Sequence, residues 1–204
     1  MGFYARYILP WMIDKVMTGD VVEADRAIIV PRASGEVLEL GMGSGHNLDF
    51  YGPDVKALRA VEPSAELAAM ARKRTGEVAF PVEIAEVSAE TMPFDNNSFD
   101  SAVVTWALCS IPDMSAALAE VRRVLKPAGA LHFVEHGLAP EAAVARWQNR
   151  LNPLWRPFSG GCNMNRPMDT AIKAAGFRID DADNGYVEGP RILSYTYRGC
   201  ARPR

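Results

Sequence analysis

The chain has 204 residues, of which 49% are hydrophobic and 23% charged, and its formal net charge is −3. That length supports one α/β core with a small covering segment, so a single domain over residues 1–204 is expected, and a slightly acidic balance without a basic block argues against nucleic acid as a partner. No apolar run reaches the roughly 18 to 20 residues that a membrane-spanning helix needs, and Cys109, Cys162 and Cys200 are odd in number and far apart, which points to a reducing cytoplasm.

Taken in order, residues 1–34 read as a helical flank or lid. Residues 3–17 are amphipathic and aromatic, and Pro10 either opens a helix at its first turn or separates two short ones. Tyr7, Trp11 and Met12 suit packing on a sheet flank. A sharper reading makes this a lid whose Tyr4 and Tyr7 face an acceptor. A third has the segment touching a membrane surface peripherally, although its polar face lacks the usual Lys and Arg cluster.

The run Val37-Leu38-Glu39-Leu40 predicts a short central strand, and Gly41, Gly43 and Gly45 then turn the chain into a helix start. Glycine tolerates positive φ and lets a ligand lie against backbone, so the turn, with Met42, Ser44 and Asn47, reads as a nucleotide cradle. His46 stands where a dinucleotide fingerprint needs a small residue, which disfavours NAD and FAD. A helix is expected over residues 47–51 and a second strand over 57–61. Glu62, Pro63 and Ser64 follow that strand, Glu62 placed to accept from two ribose hydroxyls and Ser64 to cap the next helix. A third strand over 81–87, a polar turn over 88–94 and a fourth strand over 99–105 complete an alternation that implies a parallel sheet.

Glu39-x-Gly41-x-Gly43-x-Gly45 and Val61-Glu62-Pro63 together resemble the first two motifs of class I S-adenosylmethionine-dependent methyltransferases. Ala89-Glu90-x-Met92-Pro93-Phe94, Ser98-Phe99-Asp100, Leu108-Cys109-Ser110-Ile111-Pro112-Asp113 and Glu120 through Gly129 are similar to the type-11 methyltransferase family. The family resemblance implies a Rossmann-like seven-stranded sheet in the order 3-2-1-4-5-7-6, last strand antiparallel and flanked by helices. It implies S-adenosylmethionine as cofactor and S-adenosylhomocysteine as product, held by Glu39, Gly41, Met42, Gly43, Ser44, Gly45, Asn47, Glu62, Pro63, Ser64, Ala89, Glu90 and Thr105. Two departures stand out. Ser88 occupies a place where many members carry an Asp for the adenine amino group, so that contact would pass to Glu86, backbone or water. The fourth strand ends Thr105-Trp106-Ala107-Leu108 without the Asp/Asn-Pro-Pro-Tyr signature of enzymes acting on amide or adenine nitrogens.

Beyond the fourth strand, a helix ends before Lys126-Pro127 and a fifth strand over 131–137 carries Glu135 and His136 to the carboxyl edge, where open α/β sheets bind ligands. His136 is the candidate general base, since histidine titrates nearest neutrality, and Glu135 reads as a structural or cofactor-shell acid. A helix over 140–151, an irregular stretch over 152–165 and a helix over 166–175 place residues 137–165 above the site as a second lid. Trp106 and Trp147, with Trp155 and Phe158, suggest an apolar acceptor pocket. Cys162 is a possible nucleophile or arsenic ligand, but with no second cysteine near it along the chain it reads as loop packing. No Asp/Asn cluster suggests a metal. Residues 177–182 and 191–200 alternate as two final strands. These segments resemble a bacterial branch near thiol-alkylating methyltransferase-like proteins, with phospholipid N-methyltransferases another near group.

The expected activity is methyl transfer to a small or lipophilic acceptor (thiol, phenol, amine or lipid) by in-line displacement. The competing class is a non-catalytic S-adenosylmethionine-binding or membrane-associated module.

Overall fold

In the computed structural model, which describes residues 4–204, the apolar run ahead of the glycines forms strand β1 (Gly35–Leu40). Its Val37, Leu38 and Leu40 are shut off from solvent, as a central strand covered on both faces requires. Parallel partners lie on either side: β2 (Val55–Val61), which pairs Leu38 with Arg59, and β4 (Phe99–Thr105), which pairs Leu38 with Ala102. Alternation along the strands divides the core. Leu38, Leu40, Ala102 and Val104 belong to one apolar cluster, and Val37 and Val103 to the other, so each face of the sheet carries its own helices.

The full order is β3-β2-β1-β4-β5-β8-β6, with β3 Val82–Ala85, β5 Leu125–His136, β6 Phe177–Ala182 and β8 Tyr195–Pro203. Strand β8 lies antiparallel between β5 and β6. The expected order is therefore found, with the last strand becoming the eighth because a two-residue strand, β7 (Gly185–Tyr186), precedes it and pairs with its edge.

Local chemistry explains the helix starts. The Ser64 hydroxyl accepts the Leu67 N–H at 3.3 Å to cap α3 (Ala65–Arg72), and the Asp113 carboxylate accepts the Ala116 N–H at 3.0 Å to cap α4 (Met114–Val124). At the N-terminus, Pro10 sits in the first turn of α1 (Leu9–Val16), where its missing N–H is harmless, and α2 (Asp20–Ile29) follows. The first three residues of the expected N-terminal flank lie outside the described residues.

Several boundaries differ from expectation. After the glycines the chain makes a 3-10 turn over His46–Phe50, because Gly45 in left-handed conformation and Tyr51 in extended conformation leave no room for an α-helix. Strand β5 begins at Leu125, since a bulge lets Lys126 to Gly129 loop out between the pairs Phe99↔Leu125 and Ser101↔Ala130. Helix α5 (Ala142–Trp155) runs past Leu151 and takes Pro153 into its last turns.

The covering segment that contains α5 is tied down by polar side chains. Gln148 is fully buried; its Oε1 accepts the Ala139 N–H, and its Nε2 donates to the carbonyls of Gly137 and Met164, each at 2.9 Å, and of Ile192 at 3.1 Å. One amide thus engages three backbone groups of this irregular segment and ties it to a fourth, in the connection before β8. Asn163 and Arg166 donate to carbonyls of the loop after β4, and the Tyr4 hydroxyl donates to the Phe158 carbonyl at 2.8 Å. The helix α6 (Met168–Ala174) then returns the chain to β6.

Candidate active site

The three glycines of the turn have φ of +67°, +58° and +87°, but they serve different ends. A Cβ on Gly41 would lie 2.5 Å from the Ala107 side chain, and one on Gly45 would lie 3.1 Å from Ala71, so both admit close packing. A Cβ on Gly43 would meet nothing within 4 Å. Gly43 therefore borders open space at the carboxyl edge of β1, where a ligand can lie on the backbone. Met42 and Ser44, between them, are buried within the turn.

Glu62 at the end of β2 fixes this turn. Its Oε2 accepts the Gly43 N–H at 2.8 Å and its Oε1 accepts the Ser64 N–H at 2.9 Å. Burial raises its pKa, and the two backbone donors pull the other way. Each carboxylate oxygen keeps a further lone pair, so a diol reaching the same carboxylate is chemically accommodated. Pro63 beside it is exposed.

Beneath the turn lies a buried polar network. Glu39, 1% exposed, accepts from Asn47 Nδ2 at 2.9 Å and from the Tyr51 hydroxyl at 2.7 Å. Asn47 Nδ2 also reaches Thr105 Oγ1 at 3.0 Å, and its Oδ1 accepts from Arg26 Nε at 2.9 Å. Burial pushes the Glu39 carboxyl up to about 7, against the pull of Tyr51, Asn47 and Arg26. Arg26 further donates to the Met17 carbonyl at 2.7 Å and stacks over Trp106 at 5.3 Å, and Trp106 holds a positive φ of 51°. Arg26 and Tyr51 were not foreseen. The available signal for Arg26 was an arginine on the same helix face as Ile29, three residues on.

At the tip of β3 the Ser88 hydroxyl donates to Glu90 at 2.9 Å, and the other Glu90 oxygen accepts the Asp113 N–H at 2.6 Å. Ala89 is buried between them. Glu86 is committed to an ion pair with Arg72 at 2.7 Å.

On the acceptor side the structure sorts the aromatic candidates. Trp106 stands at the end of β4 beside the network, and Tyr4 is anchored to the covering segment. Tyr7 and Trp147 turn outward, 57% and 56% exposed, with Arg150 lying over Trp147 at 5.9 Å. Glu135 is fully buried and accepts the N–H groups of Ala107 at 2.6 Å, Leu108 at 2.7 Å and Cys109 at 3.3 Å, which freezes the loop after β4. His136 Nε2 lies 2.9 Å from Cys162 Sγ. Burial lowers the His136 pKa, but the Cys162 contact and Glu135 outweigh it and the net shift is upward, while hydrogen bonds from Cys109 and His136 draw the Cys162 thiol down. Sequence separation hid a second cysteine: Cys109 lies beside this pair.

An open cradle at Gly43, a paired acceptor at the next strand tip and a buried acid that a cation would ionise fit S-adenosylmethionine. A family model described as a methyltransferase domain matches residues 38–133. The chain is 34% identical over 145 residues to the thiol S-methyltransferase TMT1B of Rattus norvegicus, covering 69% of this chain but 59% of that protein. It is 31% identical to the phosphatidylethanolamine N-methyltransferase of Cereibacter sphaeroides, covering 69% of this chain and 75% of that one. Among solved structures, a SAM-dependent methyltransferase of Methanosarcina mazei superposes with a TM-score of 0.64 at 22% identity, over 82% of this chain and 92% of that one, a likeness of fold. The chain belongs to the class I S-adenosylmethionine-dependent methyltransferases of this domain family. The chain spans about 60% of the length of the thiol S-methyltransferases it matches, and the non-catalytic alternative finds no support among these relatives. Among the described residues no helix is long and apolar enough to cross a membrane.

Proposed function

We propose that the acceptor is a small lipophilic thiol. The observation that carries this reading is a wide, open groove of about 610 Å³ between α1 and the end of α5 with the segment that follows, lined by Leu9, Pro153, Arg156, Pro157, Gly160 and Gly161. Its size suits a small ligand, for which roughly 300 to 1,000 Å³ is usual. Among the described residues Arg156 is its one charged lining group, which favours an acceptor that ionises to an anion over one that carries an ammonium. Gly161 leads directly to Cys162 and so to His136 at the carboxyl edge. The thiol S-methyltransferase relatives support the same acceptor chemistry.

In this reading S-adenosylmethionine supplies a methyl group activated by its sulfonium. Gly43, Glu62 and Ser64 hold the nucleoside end, on a turn that Gly41 and Gly45 let pack closely; Glu39, Asn47 and Thr105 set the charge beneath it; Ala89 and Glu90 shape the adenine side. Residues 137–165 and the N-terminal helices exclude water as lids, with the Tyr4 to Phe158 hydrogen bond joining them. The hydrogen-bonded His136–Cys162 pair, rather than a free imidazole, receives the acceptor's proton. Alignment can supply up to about 7 to 11 kcal/mol of the barrier in well-oriented systems, so no covalent enzyme intermediate is needed.

A second reading, transfer to a lipid headgroup amine, draws on the phosphatidylethanolamine relative and on the exposed Trp11, Leu154 and Phe158, chain neighbours of the cleft lining. Peripheral membrane contact would accompany it. The test is a panel of an alkyl thiol, a phenol, a primary amine and phosphatidylethanolamine vesicles, with methylated products and S-adenosylhomocysteine read by mass spectrometry. The thiol should be methylated fastest; product on the lipid amine or the phenol alone would overturn the assignment.

A further inference from the structure

Cys109 and Cys162 take no part in holding the cofactor, yet the fold brings them together with His136. The two sulfur atoms and a ring nitrogen of His136 all lie within 4.8 Å of one another. They come from separate places: the loop after β4, the tip of β5 and the covering segment. Backbone contacts hold each in place. Glu135 accepts the N–H of Cys109 and of the two residues before it. Asn163, next to Cys162, donates its N–H at 2.9 Å and its Nδ2 at 3.0 Å to the Cys109 carbonyl.

Two thiols and an imidazole are the donor set of zinc and other thiophilic ions. A tetrahedral ion with metal–sulfur bonds of about 2.3 Å and metal–nitrogen bonds of about 2.0 Å spaces its ligand atoms about 3.5 to 3.8 Å apart. His136 Nε2 and Cys162 Sγ now lie at a hydrogen-bonding 2.9 Å, so an ion requires these two to separate by about 0.6 Å. Three protein ligands leave a fourth position open, as in catalytic rather than structural zinc sites. The placement suits that opening. Ala107, in the same loop as Cys109, packs on Gly41 of the cofactor turn, and Gly161, adjoining Cys162, lines the acceptor cleft.

We propose that Cys109, His136 and Cys162 form a Cys₂His site for zinc, whose open position takes the acceptor as a thiolate. This deepens the thiol reading and rests on it, and it makes His136 a ligand in place of a base. On coordination the acceptor's S–H bond breaks and its proton leaves to solvent. A sulfur electron pair of the thiolate then forms the new S–CH₃ bond while the sulfonium–methyl bond breaks, its electrons staying on the departing sulfur. The products are a neutral thioether, which is a weak ligand and dissociates, and S-adenosylhomocysteine; the ion undergoes no redox change.

The test is a cobalt titration of the full chain, stripped with chelator and kept under reductant. One equivalent of Co²⁺ should give the intense visible bands of a tetrahedral ion with sulfur-to-cobalt charge transfer, and Zn²⁺ should displace it. Cys162→Ser, at a half-buried loop position, should lower zinc affinity by at least about a hundredfold, with thermal unfolding verifying the fold; Cys109→Ser should do the same. Zinc should raise thiol methylation while leaving S-adenosylhomocysteine affinity, read by calorimetry, unchanged. The site is overturned if no charge transfer appears, if the serine variants bind zinc as wild type does, or if mass spectrometry finds a Cys109–Cys162 disulfide instead. Cobalt bound through sulfur with no thiol turnover, or a metal-free enzyme as fast as the zinc-loaded one, upholds the ion site and overturns its role in the reaction. Failure of the cofactor site would show separately, in the calorimetry.

Discussion

Replacing Glu62 with Ala separates two tasks that one carboxylate performs. It is 5% exposed, and its oxygens hold the Gly43 and Ser64 N–H groups at 2.8 and 2.9 Å. Hydrogen bonds to a charged partner contribute about 1.5 to 3 kcal/mol each, so losing two to the ribose should weaken S-adenosylhomocysteine binding well over tenfold. The variant should also unfold at a temperature lower by a few degrees, since about 1 kcal/mol shifts the midpoint by roughly 2 to 4 °C in a chain of this size. That second loss arises because Gly43 and Ser64 lose their acceptor, although water reaching the open cradle limits it. Calorimetry with S-adenosylhomocysteine and with its 2′,3′-dideoxy analogue distinguishes the tasks. Wild type should discriminate strongly between the ligands, and the variant should hardly discriminate. An equal loss of affinity for both ligands would reduce Glu62 to a support for the turn, and unchanged affinity would refute its role altogether.

Gly43→Val should fold, because nothing lies within 4 Å of the new Cβ, but at a cost of about 1 to 2 kcal/mol for the positive φ; S-adenosylhomocysteine binding should disappear in the same calorimetric assay, and normal binding would show that the cradle lies elsewhere. Glu39, with its carboxyl raised to about 7, holds its proton more tightly folded than unfolded, so its contribution to stability is full below about 4.5 and is lost as pH rises through about 7. A cationic ligand favours the ionised form, so S-adenosylmethionine affinity should rise by up to about tenfold per pH unit below 7 and then level, a slope that Glu39→Gln should flatten; an unchanged slope in that variant would exclude Glu39 as the source. Hydrogen exchange should show residues 9–16 and 142–165 gaining protection when S-adenosylhomocysteine binds, with β1 and β4 unaffected; equal protection in both states would make those segments ordinary scaffold.

Much of the scaffold was legible because it depends on neighbours in the chain. The apolar run before Gly41, the β-branched residues of β4 and the Ser64 cap each work through contacts a few residues apart. The position of β8 between β5 and β6 rested on the family resemblance, since alternation does not say which edge a strand joins. Lys126 to Gly129 hid the start of β5 because a bulge, not a pattern, carries those residues. The site was legible where backbone geometry dictates residue type, as at Gly43, and illegible where distant side chains meet. Nothing in the spacing aims Arg26 at Asn47 or Tyr51 at Glu39, and aromatic character alone did not separate Trp106 at the network from Trp147 at the surface. Cys109 and Cys162 read as unrelated for the same reason.

The antiparallel insertion of β8 also sets an order of assembly. Its residues Tyr197 and Thr196 pair with Glu135 and His136, which lie beyond the last β4 pair at Val134, so the tip of β5 has no strand partner until they arrive. During synthesis β8 leaves the ribosome after every strand it touches, and until then β5 and β6 both present bare edges. A nascent chain can build the half-sheet β3-β2-β1-β4-β5 and the glycine turn early, from mostly sequential contacts. The tip of β5 matures only once β8 is in place, so a translation intermediate would hold the glycine turn before the neighbourhood of Glu135 and His136 is complete.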